Sequence, residues 1–105
     1  VTPRGVTVKV THLHGGTPWR AVLSGRFFEA AKAALKESYG RDPVITGEGG
    51  SIPVVGDFQR ILGAPVLLIG FGLPGENAHA PDEWMAEENY RKGIEAIALL
   101  WERLK

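Results

Sequence analysis

The chain has 105 residues, with 12 basic and 12 acidic side chains that leave a formal net charge of zero. This length fits one domain, and the neutral balance argues against a nucleic-acid partner, because nucleic-acid-binding domains usually carry a strongly basic face. The lack of cysteine excludes disulfide frameworks, thiolate nucleophiles and cysteine zinc sites. No apolar run is long enough to span a bilayer and no signal-peptide pattern opens the chain, so we expect a cytoplasmic protein with no membrane partner.

The first half of the chain predicts a strand, a helix and a second short strand. Valines alternate with polar residues over 6–10, as is typical of a half-buried strand. Ser24 can act as the N-cap of a helix that Gly40 ends, and a short strand candidate follows at 43–46. The apolar stripe of that helix is Phe27, Ala30, Ala31, Ala34 and Leu35.

The second half predicts a helix, a buried strand, a loop and a long final helix. The helix runs over 52–62, with Ser51 as its N-cap and Gly63 as its end. Residues 65–71 are apolar on both faces, as a buried parallel strand is. A loop rich in glycine and proline leads to the last helix, predicted over 82–104. Its predicted inward residues are Met85, Ile94, Ile97, Ala98 and Trp101.

This order is a βαβα pattern, so the fold class is α/β with a parallel sheet and a right-handed crossover. Two short parallel strands do not form a sheet that is stable alone, because each buried strand needs neighbouring strands and helices on both faces. The first strand is of the half-exposed kind and belongs to a different sheet. The pattern therefore predicts the end of one domain joined to part of another.

Ligands of open α/β sheets bind at the carboxyl ends of the strands, and both predicted parallel strands are followed by unusual loops. Gly47–Ser51 forms a turn that opens a helix, where glycines and the helix N-terminus favour an anion such as phosphate or carboxylate. The same pattern also fits a tight turn capped by Ser51. Because the two loops fall at one edge of the sheet, we expect Ser51 and His79 to face one cleft.

Three other patterns each have two interpretations. His79 lies among carboxylates in a loop, which suits either a zinc ligand with an acidic neighbour or an ordinary surface histidine. His12 and His14 share one strand face, which suits either a chelating pair or two partly exposed side chains. Glu87 and Glu88 resemble a catalytic pair, but neighbouring helical residues point about 100° apart, which favours a solvated face.

Three segments in this order resemble one known family. They are Gly47 to Pro53, the run 63–72 (Gly-Ala-Pro-Val-Leu-Leu-Ile-Gly-Phe-Gly) and the run 76–83 (Glu-Asn-Ala-His-Ala-Pro-Asp-Glu). The chain resembles the C-terminal part of the dinuclear zinc metallopeptidases and amidohydrolases, the family of carnosinase-like dipeptidases, glutamate carboxypeptidase and aminoacylase. The run 14–19 resembles the exit from that family's lid, or dimerisation, domain.

The resemblance implies two domain parts, with 1–18 as the end of the lid domain and 19–105 as the C-terminal segment of the catalytic domain. It implies that His79 is a zinc ligand and that Gly49, Gly50 and Ser51 line the pocket near the carboxylate end of the substrate. In this family two zinc ions polarise the scissile carbonyl and activate a bridging water, and a glutamate acts as general base. Glu83, close after His79, is expected to order the loop and the start of the last helix.

Two departures limit what the chain can do alone. Many relatives carry arginine where this chain has Gly47, so a cation for the substrate carboxylate is missing or comes from elsewhere, with Arg20 as one candidate. The other metal ligands and the general base of the family are not recognisable in the sequence, so the chain holds no catalytic residue of its own. The resemblance implies a fragment, inactive in isolation, of an enzyme that cleaves dipeptides or N-acyl amino acids.

The fragment would need the remainder of the catalytic domain as its partner, and a homodimer through the lid is possible in the parent enzyme. One alternative is a self-standing small α/β module that binds an anionic ligand at Gly47–Ser51. Another is an assembly role, in which an exposed sheet edge recruits a second chain.

Overall fold

The computed structural model describes residues 3–13, 15–48 and 52–105. These ranges contain three helices, α1 (Arg26–Tyr39), α2 (Val54–Leu62) and α3 (Glu87–Leu104), and no strand is assigned within them. A strand is defined by hydrogen bonds to a neighbouring strand. None of the described residues at 6–10, 43–46 or 65–71 has such a partner, so the predicted sheet, and with it the α/β class, stays a prediction.

Helices α1 and α3 pair in antiparallel orientation and form the core. At one end Arg26 donates a hydrogen bond to the carbonyl of Leu104 (2.7 Å), and at the other the Ser38 hydroxyl donates to the carbonyl of Lys92 (2.8 Å). The buried side chains between the helices are small on α1 and larger on α3: Ala31, Ala34 and Leu100. Small residues on α1 allow α3 to approach closely, which is why this pair of helices carries most of the burial.

The apolar segment 65–71 lies against this pair with strand-like alternation. Leu67 and Ile69 pack on the buried cluster, and Phe71 stacks on Tyr39 with ring centroids 6.3 Å apart. Leu68, between them, is 51% exposed. Alternate side chains therefore point to opposite sides, as in a strand. One side meets the helices and the other side is open.

The helix ends agree with the sequence at the C-terminal caps and differ at the N-terminal ones. Gly40 and Gly63 adopt the left-handed conformation at φ 71° and 61°, which confirms both predicted stops. The predicted cap at Ser24 is wrong, since Gly25 at φ 89° takes that position without a side-chain hydrogen bond. Helix α2 begins at Val54 after Pro53, and its predicted cap, Ser51, lies outside the described residues.

Helix α3 differs most from its prediction. It begins at Glu87 instead of residue 82, because Asp82 has φ 58° and cannot belong to a right-handed helix. Its buried residues are Gly93, Ala96 and Leu100. The predicted inward stripe is wrong for Ile94 and Trp101, which are 57% and 71% exposed, and for Ala98, which is also exposed. Met85, the first residue of that stripe, is exposed and lies before the helix begins. Leu100 is the residue of α3 that is buried with Ala31 and Ala34 of α1, and a Cβ on Gly93 would meet the Phe71 ring.

Residues 15–19 pack along α2. A side chain at Gly16 would place its Cβ 2.9 Å from the Cβ of Pro53, so only glycine allows this approach. Further along, the Trp19 indole N–H donates a hydrogen bond to the side-chain oxygen of Gln59. The segment predicted to leave the lid therefore lies beside the helix that follows the glycine-rich turn. No helix among the described residues combines the length and the apolar character that crossing a membrane requires.

Candidate metal and substrate site

The loop at 72–86, which contains His79, has an unusual backbone. Asn77, His79 and Asp82 all adopt left-handed conformations, with φ of 55°, 64° and 58°. Asn, Asp and His are the side chains that tolerate this region best. The conformation still costs about 1–2 kcal/mol per residue, so three such residues within one short turn must be held in place by the structure around them.

Glu76 makes two of the hydrogen bonds that hold this loop in place. It is one of few buried polar side chains among the described residues, with 7% exposure. One carboxylate oxygen accepts a hydrogen bond from the backbone N–H of Ala86 (3.3 Å), the residue just before α3. Its backbone carbonyl accepts from the N–H of Trp84 (3.1 Å). Glu76 therefore joins the start of the loop to its end, with the left-handed turn enclosed between the two bonds.

Trp84 and Asn89 reinforce the same closure. The Trp84 indole N–H donates to the carbonyl of Gly75 at 3.1 Å. The Asn89 side-chain amide donates to the carbonyl of Phe71 at 3.1 Å, which ties the first turns of α3 to the end of the apolar segment. Both ends of the loop are thus anchored on the α1–α3 pair, and the loop is a defined structure with His79 at its tip.

An open groove of about 770 Å³ separates this loop from the glycine-rich motif. Glu48, which belongs to that motif, lines it from one side, and Ala78 next to His79 lines it from the other. The full lining set is Glu48, Gly72, Leu73, Glu76, Ala78, Glu83, Trp84 and Met85. The two loops predicted to share a cleft therefore approach each other at Glu48, and the predicted anion site at Gly49, Gly50 and Ser51 lies outside the described residues.

His79 is the candidate metal ligand in this part of the molecule. Its exposed imidazole sits in the left-handed turn beside the groove. A zinc site typically takes four ligands, and histidine nitrogen is a common one. Within the ranges 3–13, 15–48 and 52–105 there is no group of three or more metal-ligating side chains. His79 therefore suits one position of such a site, and the described residues alone do not make a complete site.

The other predicted residues have clear positions. Glu83, which was expected to order the loop and the start of the last helix, is exposed and lines the groove, and the described hydrogen bond to the residue before α3 comes from Glu76. Glu87 and Glu88 form exposed ion pairs with Arg91 and Lys92, each at 2.7 Å, which confirms a solvated helix face. Arg20 is exposed and does not line the groove. His12 is exposed, and His14 lies outside the described residues.

Sequence reasoning missed the roles of Glu76 and Trp84. Both belong to the segment that resembles the metallopeptidases or flank it closely, but neither side chain was expected to close the loop. A glutamate inside a loop rich in glycine and proline is expected to be exposed, because Glu is almost never fully buried without a partner. The partner here is a backbone N–H ten residues further along the chain, which no local pattern indicates.

Comparison with known proteins shows the family to which the chain belongs. The profile of Peptidase family M20/M25/M40 matches residues 1–103. The chain is 38% identical over 86 residues to the Cys-Gly metallodipeptidase DUG1 of Saccharomyces cerevisiae, covering 82% of this chain and 18% of that protein. It is 31% identical over 81 residues to human Beta-Ala-His dipeptidase, covering 77% of this chain and 16% of that protein.

A solved structure of the dipeptidase Dug1p from S. cerevisiae superposes with a TM-score of 0.79 at 36% identity, over 84% of this chain and 18% of that one. Both matched proteins are dipeptidases by name, the yeast one a metallodipeptidase, and the chain belongs to Peptidase family M20/M25/M40. This confirms the resemblance found in the sequence. The chain spans less than a fifth of the length of these relatives.

Proposed function

We propose that the chain is the C-terminal part of a zinc-dependent metallodipeptidase or related amidohydrolase, and that it does not hydrolyse substrate alone. Its role in the parent enzyme is to supply one metal ligand, His79, and one wall of the substrate pocket, formed by Gly49, Gly50 and Ser51. The substrate is a dipeptide or an N-acyl amino acid. The remaining metal ligands and the general base come from the rest of the catalytic domain.

The observation that carries this proposal is the groove shared by the two loops. Glu48 of the glycine-rich motif and Ala78 beside His79 line the same open space. A wall that binds the carboxylate end of a substrate and a metal ligand must lie close together, because the scissile bond of a dipeptide is only a few atoms from its C-terminus. The groove that Glu48 and Ala78 share supports placing the two motifs at one site.

Several parts of the proposal concern the whole enzyme. We propose an α/β catalytic domain in which 65–71 becomes a central strand, with its Leu68 side covered by further helices. The helices α1 and α3 already cover the opposite side of this segment through Leu67 and Ile69. We further propose that 1–18 ends a lid domain able to mediate a homodimer, that two zinc ions act in the parent site, and that the enzyme is cytoplasmic.

The test uses His79→Ala in the full-length protein, with His12→Ala as the matched control. Both histidines are exposed, but only His79 lies in the left-handed turn beside the groove. We expect His79→Ala to lower bound zinc, measured by plasma mass spectrometry, and to lower kcat/KM on dipeptides by roughly 100-fold or more, since the metal supplies the activated water. His12→Ala should leave both unchanged.

The 105-residue chain alone should release no amino acid from a dipeptide or an N-acyl amino acid, with or without added zinc. Turnover by the isolated chain that survives purification and disappears in His79→Ala would contradict the fragment part of the proposal. Unchanged zinc content in full-length His79→Ala would contradict its metal part.

A further inference from the structure

We propose that Glu76 is the positioning residue of the candidate site: its buried carboxylate closes the 72–86 loop onto the start of α3 and so holds His79 at the groove. This inference rests on the proposed function only in the use made of His79. The loop closure itself is a property of the described residues.

The Glu76 carboxylate is buried and is held by a hydrogen bond from the backbone. Glu76 is 7% exposed, although no arginine or lysine is paired with it among the described residues. A buried carboxylate is retained where hydrogen bonds satisfy it. Here one oxygen accepts from the Ala86 N–H, one of the backbone groups that the start of a helix leaves without an internal partner. The carboxylate thus caps α3 from outside the helix.

The Glu76 side chain occupies space that is open because residue 72 is glycine. The other carboxylate oxygen lies 3.1 Å from the position that a Cβ on Gly72 would occupy. Any side chain at residue 72 would crowd Glu76 at the point where the apolar segment ends. The glycine there is therefore matched to the buried glutamate, and the two residues form one local arrangement.

His79 lies in the part of the loop that the bond between Glu76 and Ala86 encloses. The left-handed residues Asn77, His79 and Asp82 all lie between Glu76 and Ala86. Strained backbone conformations persist only where the surrounding structure enforces them. If the bond between Glu76 and Ala86 is lost, the loop still has the bonds of Trp84 to the Gly75 and Glu76 carbonyls, of Asn89 to the Phe71 carbonyl and of Ala80 to the Asn77 carbonyl. None of these bonds joins the loop to the backbone of Ala86, so the turn can relax at that end. His79 then loses its fixed position beside Ala78, which lines the groove.

The experiment compares Glu76→Ala, Glu76→Gln and the control Glu102→Ala in the full-length protein. Glu102 is an exposed glutamate of α3, remote from the loop in sequence. Hydrogen exchange of the amides over 77–86 and zinc affinity are measured together. For Glu76→Ala we expect exchange in this segment to rise about 10-fold and zinc affinity to fall roughly 10–100-fold, as is typical when a group that orients a metal ligand is removed.

Glu76→Gln retains an oxygen that can accept from Ala86, so it should recover most of the protection and most of the zinc affinity. Glu102→Ala should match the wild type in both. Unchanged exchange over 77–86 in Glu76→Ala would overturn the proposal. Faster exchange spread evenly over the whole protein, with zinc affinity unaltered, would also overturn it, because Glu76 would then be a merely structural residue.

If Glu76→Ala does not fold, hydrogen exchange over 77–86 and zinc affinity are measured on Glu76→Gln and Glu76→Asp, and these two variants test whether Glu76 holds the loop. The shorter Asp should lose protection over 77–86 and Gln should keep it, and equal protection in both would overturn the proposal. His79→Ala separates this inference from the proposed function. If His79→Ala leaves zinc binding intact, the metal role of His79 fails, and the exchange data alone still decide whether Glu76 holds the loop.

Discussion

At the scale of single residues, two helical glycines of this chain meet different surroundings. Gly93 is buried in α3, and a Cβ there would lie 3.1 Å from the Phe71 ring. Gly56 lies in α2, and a Cβ there would meet only the Thr17 hydroxyl at an ordinary 3.6 Å. Alanine is favoured over glycine by about 1 kcal/mol inside a helix, so packing decides the outcome at each position.

We expect Gly93→Ala to destabilise the protein and Gly56→Ala to stabilise it. The Phe71 ring is stacked on Tyr39 and cannot retreat freely, so overpacking of about 1–3 kcal/mol should outweigh the helical gain at residue 93. At residue 56 the gain of up to about 1 kcal/mol should remain. Urea unfolding monitored by circular dichroism measures both. A stabilised Gly93→Ala would show that the ring moves aside.

At the scale of secondary structure, the pairing of α1 with α3 depends on polar groups at the helix ends as much as on the apolar contact. The Tyr39 hydroxyl, at the end of α1, donates to the Asn89 carbonyl at 3.0 Å. Burial raises the pKa of the Tyr39 hydroxyl above its ordinary value, although the Lys92 charge partly opposes the shift. The folded state therefore favours the protonated phenol, which is also the form that donates.

The raised pKa of Tyr39 predicts a loss of stability at alkaline pH. A group whose pKa is raised on folding contributes stability that is fully present below the unfolded pKa, about 10 for tyrosine, and is lost as pH rises through the folded pKa. Tyr39→Phe should cost about 1 kcal/mol at neutral pH, for the lost hydrogen bond, and should show a smaller alkaline loss than the wild type. Thermal unfolding between pH 8 and 11 gives both. Tyr90→Phe, at an exposed site, should keep the wild-type alkaline loss.

At the scale of the whole molecule, the chain is extended and exposes much apolar surface. The Cα radius of gyration is 18.6 Å, compared with about 13 Å for a compact domain of 100 residues. Large apolar side chains are exposed near the start, in the middle and near the end of the sequence. Examples are Val10, Ile61 and Trp101, which are 88%, 68% and 71% exposed. Exposed apolar surface of this extent is typical of a binding interface or an aggregation hazard.

We expect the isolated chain to self-associate through such side chains. Trp101→Ser should weaken the concentration-dependent association measured by light scattering, because Trp101 faces away from α1 and contributes a large apolar surface. Glu102→Ser changes the next residue along α3, which is polar and exposed, and as the control it should associate like the wild type. Equal association of both variants would show that the outer side of α3 is not involved.

The amino-acid sequence by itself determined where α1 and α2 end, that 65–71 is an apolar segment, and that the family is a metallopeptidase family. Those features are local: Gly40 and Gly63 end helices because glycine adopts φ of 71° and 61° without strain. The family motifs are likewise short runs of neighbouring residues.

Only the tertiary structure decided which side of α3 is buried, where α3 begins and which acid closes the His79 loop. Leu100 is buried with Ala31 and Ala34, and Gly93 is buried against the Phe71 ring, so the buried side of α3 depends on α1 and on the segment 65–71. Glu76 is buried because Ala86, distant in sequence, needs an acceptor at the start of a helix. Contacts between residues far apart in the sequence decide these features. The hydrophobic pattern of one helix or loop indicates its own secondary structure and does not indicate which other segment it packs against.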